Sequence, residues 1–270
     1  MEIREIAMIV RELPNGELLC IHQTTHALMA AEFCRHWGNR DFARPAPYAP
    51  VMLGVAQHDN GWYEWELQPK LLANGYPQDF IHETDLLGKI QLWRRGIDRL
   101  YAQHPYAALL LSRHAVTLYE ADLQRSLPDE ARQATLAFIG QQATLIETVR
   151  RRFAGDPHWA QALTTETIEA HTWLLKFGDS ASLQVLLPWA AERTLEHCPV
   201  DFQGNSTAIQ MRHEDQLITF DPWPFGVDEF EVACHGKRLP QRIFATENEY
   251  HAALAEAPYQ QLNWRVVPER

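Results

Sequence analysis

The dipeptide His58-Asp59 stands at the end of the apolar stretch Val51-Met52-Leu53-Gly54-Val55-Ala56, with Gln57 between. An imidazole and a carboxylate carried into a core lose hydration worth several kcal/mol unless something compensates, and a bound cation is one of the few groups that does. Consecutive helical residues point about 100° apart, so the pair can approach one ion from neighbouring directions. The competing reading is a packed turn, in which Asp59 leads the chain into Asn60-Gly61 and His58 is hydrogen-bonded in the core. The dipeptide alone does not separate the two.

Two further residues tilt the balance. His26 shares a helical face with Ala30, Phe33 and Trp37, all apolar, so its imidazole points into the core. Asp179 shares a face with Leu175, Leu183 and Leu186, where a lone aspartate demands a partner. Its alternative role is the cap of a helix restarting after Gly178, because Gly178-Asp179-Ser180 also reads as a helix start. The chain has 13 histidines, and any one of them is by default a surface or packed residue. The combination is what points to a metal.

The order His26, His58-Asp59, Asp179 resembles the H…HD…D pattern of the HD-domain metal-dependent phosphohydrolases. That likeness covers roughly residues 20–190 and implies a helical core in which His26, His58, Asp59 and Asp179 hold one divalent ion (Mn, Fe, Mg, Ni or Zn). Through His26-Ala27, Gln57-His58-Asp59-Asn60-Gly61-Trp62, Leu111-Ser112-Arg113-His114 and Asp221-Pro222-Trp223-Pro224-Phe225, the chain is also similar, along nearly its full length, to a bacterial family catalogued as a domain of unknown function.

The segment after the dipeptide, Asn60-Gly61-Trp62-Tyr63-Glu64-Trp65-Glu66, departs from the HD pattern by placing aromatics first. Glu64, and after it Glu66, are the candidates for a general acid beside Asp59. HD proteins with two metals add two histidines before the last aspartate. Here His114, on the face of Ala107, Leu111 and Leu118, and His82, in a loop region beside Phe80 and Glu83, are candidates for a second metal or for the pocket. His104-Pro105 reads instead as a helix start.

Arg113, and Lys89, Arg94, Arg95 and Arg99 on the preceding helix, could meet a phosphate or form a solvated face. Arg150-Arg151-Arg152 suits a helix C-terminus. Trp62, Trp65 and Trp93 wall a pocket or fill the core. Ser112 and Ser182 lack a base-and-orienter arrangement, so nucleophilic catalysis is not expected.

The elements that must hold these residues follow from periodicity and turn chemistry. Apolar runs over 6–11 and 17–21 flank Leu13-Pro14-Asn15-Gly16, a hairpin signal. Thr24 or Thr25 caps a helix that stops at Gly38-Asn39, and a Pro-rich connector leads to a buried helix over 51–57. Residues 67–84 read as a long loop. Helical patterns run over 85–102, 106–127, 129–154 and 165–196. Strand patterns follow at 207–212, 216–220, 229–234, 242–245 and 262–267, with a helix over 247–255.

The expected fold is mainly α: an HD-domain-like helical bundle with an N-terminal β-hairpin and a small β-rich C-terminal region. The expected division is 1–198 and 199–270, the second part either separate or packed on the hairpin within one domain.

Composition bounds the function. The 270 residues are 46% hydrophobic and 22% charged, an ordinary globular balance. A net charge of -11 argues against nucleic acid as the main partner. Cys20, Cys34, Cys198 and Cys234 form no C-x-x-C pair, which suggests neither a zinc ribbon nor a disulfide framework and reads as reduced thiols. The acidic start Met1-Glu2-Ile3-Arg4-Glu5, with no long apolar run, suggests the cytoplasm and no membrane.

The leading expectation is a metal-dependent phosphohydrolase acting on a nucleotide or small phosphorylated metabolite. A di-iron HD-type oxygenase and a non-catalytic metal-containing scaffold that binds a ligand or protein are the alternatives. A homo-oligomer is left open.

Overall fold

The turn at Leu13-Pro14-Asn15-Gly16 forms where its composition directs. Gly16 takes φ +82°, a left-handed conformation that costs glycine little, and its N–H donates to Leu13 O at 2.8 Å. It joins β1 (Ile9–Glu12) to β2 (Leu18–Ile21). The computed structural model describes residues 8–79, 86–187 and 191–269; His82 therefore lies outside the described residues.

The helices follow as α1 (Gln23–Arg35), α2 (Tyr48–Ala56), α3 (Tyr63–Leu67), α4 (Leu86–Gln103), α5 (Pro105–Asp122), α6 (Asp129–Phe153) and α7 (Thr165–Leu186). Pro105 occupies the first turn of α5, and His104 caps that helix by accepting from the Tyr106 N–H. Among the described residues, no helix is long and apolar enough to cross a membrane, and the four cysteines are free and buried.

The sheet corrects the expectation of a mainly α bundle with a small β-rich appendage. About half of the chain is helical, and a curled, mixed sheet of seven strands forms the other major layer. After α7 come β3 (Glu192–Pro199), β4 (Ser206–Glu214), β5 (Leu217–Asp221), β6 (Phe230–Leu239), α8 (Glu247–Glu256) and β7 (Tyr259–Pro268). The strand order is β1-β2-β6-β7-β5-β4-β3. Among the described residues, only the β5–β7 pairing is parallel.

The physical reason for the correction is long-range pairing. β2 hydrogen-bonds β6 through Leu18↔Leu239, Leu19↔Arg238 and Cys20↔Lys237, so two segments more than 200 residues apart build one sheet. Every residue of β2 is buried, because helices cover one face and a cluster with Phe244, Tyr250 and Leu254 covers the other.

Two boundaries differ from the periodicity reading. Helix α7 stops at Leu186, and Leu187 is extended at φ -101°, ψ 154°; it precedes a proline, which disfavours helical backbone. Strand β3 begins at Glu192, within the stretch expected to be helical to 196. The expected strand over 242–245 is irregular chain instead, in which the Phe244 N–H donates to Gly75 O at 2.9 Å. Gly75, at φ +79°, permits this approach, since a Cβ there would lie 2.5 Å from Phe244 O.

The core sits between α1, α7 and the inner face of the sheet. Phe33, Trp37, Phe177, Phe220 and Phe225 meet there edge to face or tilted. Each such ring contributes roughly 2–3 kcal/mol through burial. The two helices come unusually close at Gly178, where an added Cβ would lie 2.7 Å from Ala30 O and 2.8 Å from Cys34 Sγ. Glycine within a helix costs about 1 kcal/mol against alanine; here it lets the α1 backbone touch α7 one residue before Asp179.

Candidate metal centre

Four separate elements deliver the polar residues to one buried point. His26 lies in the first turns of α1, whose leading N–H, from Gln23, is accepted by the buried Glu66 carboxylate. His58 and Asp59 lie just past the end of α2, in a turn rather than in the helix, with Asp59 at φ -105°, ψ 17°. Asp179 is in the middle of α7, which runs unbroken through Gly178, so it is not a helix cap. His114 comes from α5.

The turn after His58-Asp59 explains the aromatic departure in the sequence. Residues Asn60–Trp62 form a 3-10 turn packed on α4, where a Cβ on Gly61 would fall 2.1 Å from Leu92 O and one on Gly96 2.9 Å from Asn60 Oδ1. Trp62 is buried in the main core. The segment anchors the dipeptide through packing.

His26 Nε2 lies 2.8 Å from Asp59 Oδ2 and 3.6 Å from Asp179 Oδ1. His58 Nε2 lies 3.4 Å from each of the same two oxygens. Ligand atoms of His26, His58 and Asp179 all fall within 4.8 Å of one another, and Asp59 adds its oxygen beside both imidazoles. Bonds of about 2.1 Å place neighbouring ligand atoms about 3.0 Å apart around an octahedral ion and about 3.4 Å apart around a tetrahedral one. The observed spacings bracket these values.

Both rings are oriented by partners on their other nitrogen. His58 Nδ1 lies 2.8 Å from Val55 O; a carbonyl only accepts, so Nδ1 carries the proton and Nε2 presents its lone pair. Ser182 Oγ donates to Asp179 O at 2.9 Å and lies 2.8 Å from His26 Nδ1. With its own proton committed, the hydroxyl accepts from His26 Nδ1–H, and His26 Nε2 is likewise turned inward. Facing carboxylates at these distances, each Nε2 needs a proton or a bound cation between it and the oxygens, and His26 Nε2 lies within hydrogen-bond distance of Asp59 Oδ2.

The electrostatics state the same need. Burial lowers the pKa of His58, but the Asp59 charge and the contact with Asp179 outweigh it and raise the value to about 10. Burial works to raise the pKa of Asp179, yet His58, His26 and His114 hold it well below the usual carboxylate range. Among the described residues His58 Nε2 is buried and has only the two carboxylate oxygens at 3.4 Å beside it, too long for a well-formed hydrogen bond, a shortfall that a metal bond would satisfy. Two carboxylates and two inward nitrogens with almost no exposure fit a divalent cation.

His114 stands at the edge of this group, with Nε2 3.9 Å from Asp179 Oδ2. Burial lowers its pKa to about 3, which keeps it neutral and competent as a ligand. Its ring meets those of His58 and Trp93 edge to face, each with centroids 5.8 Å apart.

Other expected residues are engaged elsewhere. Glu64 is partly exposed and pairs with Arg95 at 3.1 Å and with Arg99. Glu66 caps α1. Arg113 is committed to Glu169 at 2.6 Å and Glu120 at 3.8 Å. Ser112 donates to Gln142. The roles of Ser182 and the Val55 carbonyl were missed from sequence, although Ser182, three residues past Asp179, shares its helical face.

A family model described as "Protein of unknown function (DUF3891)" matches residues 8–241. Neither the curated proteins nor the solved structures yield a match.

Proposed function

The chain belongs to the DUF3891 family, and from that membership, which names no reaction, we propose that it is a metal-dependent phosphohydrolase acting on a small phosphorylated metabolite or nucleotide. One observation carries the metal: two imidazoles, each tied at Nδ1, turn Nε2 toward the same two carboxylates at 2.8–3.6 Å. The likeness of the ordered ligands His26, His58, Asp59 and Asp179 to the HD pattern supports the phosphoester.

Mixed nitrogen and oxygen donors suit Mn, Fe, Ni or Zn, and an oxygen-rich sphere completed by water also admits Mg. A divalent ion there supplies Lewis acidity to a phosphoryl oxygen and lowers the pKa of a water. His26 and His58 hold that position because Ser182 and Val55 fix their tautomers. Asp59 is the carboxylate placed to take the proton of the attacking water, and the buried surroundings exclude bulk solvent.

A second reading has its own observation. Asp179 offers Oδ1 to His26 and His58 and Oδ2 to His114, a bridging disposition that suits two ions and hence an HD-type di-iron oxygenase. Metal analysis of untagged protein separates the two. One divalent ion per chain with turnover in a phosphatase and phosphodiesterase screen supports hydrolysis, and two irons support the oxygenase. Full turnover by metal-stripped His58→Ala and Asp59→Asn proteins would sink both.

A further inference from the structure

The Glu66 carboxylate is buried and stands outside the ligand set, yet it touches the helix that carries His26. It accepts from the Gln23 N–H and from Thr24 Oγ1 at 3.4 Å, and His22 Nδ1 lies 3.5 Å away. A carboxylate taken out of water is costly unless paired; here the leading N–H groups of α1, which no helical carbonyl can pair, and the positive end of the helix dipole offset that cost. His26 follows Gln23 by three residues, on the same helical face and about 4.5 Å further along. Its own N–H donates to His22 O at 3.0 Å, so the turn that Glu66 grips leads straight into the ligand.

The other end of this contact belongs to the chain of the dipeptide. Glu66 follows Asp59 by seven residues, and the segment between them has little freedom. Trp62 is buried in the main core, and Trp65 packs against both the main core and the cluster on the outer face of the sheet. Glu64 and Glu66, two residues apart on α3, point about 200° apart, so Glu64 meets Arg95 and Arg99 while Glu66 reaches α1. The contacts close a circuit from Asp59 through the packed turn to Glu66, across to the first turn of α1, up to His26, and back from His26 Nε2 to Asp59 Oδ2 at 2.8 Å.

We propose that Glu66 is a positioning residue that locks the first turn of α1 to the His58-Asp59 turn and so sets the spacing of His26 from Asp59 for the divalent ion. The proposal rests on the metal reading above. Further along, α1 is gripped by α7 where Gly178 meets Ala30 and Cys34, which leaves Glu66 to hold the turn before His26. What acts is the reach of the side chain, because an acceptor of that length satisfies the Gln23 N–H whether or not it is charged. A carboxamide can therefore replace the carboxylate, and a shorter acid cannot.

The test is titration of the full chain with Co(II) in competition with a chelator, the visible spectrum of the bound ion being recorded on the same samples. Glu66→Asp, which keeps the charge and loses the reach, and Glu66→Leu, which loses both, should each weaken Co(II) binding by about 10–100-fold, the range typical of lost outer partners, and change the spectrum. Glu66→Gln, which keeps the reach and loses the charge, should hold affinity and spectrum close to those of the parent. Thr246→Ala is the control: Thr246 caps α8 by accepting from the Glu249 N–H, so its loss also removes a helix cap, but Co(II) affinity should stay parental.

Parental affinity and spectrum in Glu66→Asp and Glu66→Leu overturn the positioning role and leave the metal reading standing. So does an equal loss in Glu66→Gln, which would make the charge rather than the reach decisive, or an equal loss in Thr246→Ala, which would mark a general effect of lost stability. A parent protein that takes up no divalent ion overturns the metal reading and the positioning role with it. If Glu66→Leu fails to fold, the Asp and Gln variants carry the same comparison.

Discussion

Ser182 holds His26 across a helix interface. Its Oγ lies 2.8 Å from His26 Nδ1 while donating to Asp179 O, so one hydroxyl on α7 both orients a ligand on α1 and braces the turn that carries another ligand. Ser182→Ala should weaken divalent-ion binding by about 10–100-fold, the range typical of lost outer partners, without unfolding the protein. A chelator-competition titration reads this directly, and parental affinity in the variant would remove Ser182 from the site.

Gly178→Ala tests the close approach of α1 and α7. Alanine favours a helix by about 1 kcal/mol, but its Cβ would meet Ala30 O at 2.7 Å, where backbone has little room to yield. Overpacking should win, with a net loss of about 1–3 kcal/mol. Because the strain parts His26 from Asp179, metal affinity should fall as well. Thermal melts and metal titration together check it; a raised Tm with intact affinity contradicts the packing account.

His171 predicts an acid limb of stability. It is fully buried, its Nδ1 lies 2.7 Å from Tyr106 Oη, and burial lowers its pKa from 6.5 to about 3. The unfolded chain therefore binds a proton that the folded chain refuses. The corresponding stability is complete above about pH 6.5 and is lost as the pH falls toward 3, on the order of a few kcal/mol. Denaturant melts between pH 7 and 4 should show a shallower decline for His171→Gln than for the parent. Equal slopes would show that the ring is protonated in the folded state.

Glu64 provides the negative control. Its carboxylate is partly exposed and shared between Arg95 and Arg99, a surface arrangement worth about 0–1 kcal/mol. Glu64→Gln should leave metal content unchanged and shift stability within that range. Loss of the metal on this substitution would draw Glu64 back toward the site.

The candidate ligands were legible because each broke a local rule. His26 and Asp179 put polar groups on apolar helical faces, and His58-Asp59 ended an apolar run. All four are buried, as those faces require. The hairpin turn and the strands over 206–214 and 217–221 were legible for the same local reason, a turn signal or a period of two. Glu64 was chosen for nearness along the chain alone, and nearness along the chain does not say which way α3 will aim a side chain. His82 is not among the described residues, so its part stays with the sequence expectation.

The order His26, His58-Asp59, Asp179 and the burial of those residues were thus determined by the sequence itself, because hydrophobic periodicity decides which side chains face inward. Tertiary structure alone decided the seven-stranded sheet and the partners Ser182 and Val55 that aim the imidazoles. Those features depend on contacts between segments far apart in the chain, β2 with β6 and α1 with α7. Their free energy comes from closing long loops onto complementary surfaces, and no local window of residues carries that information.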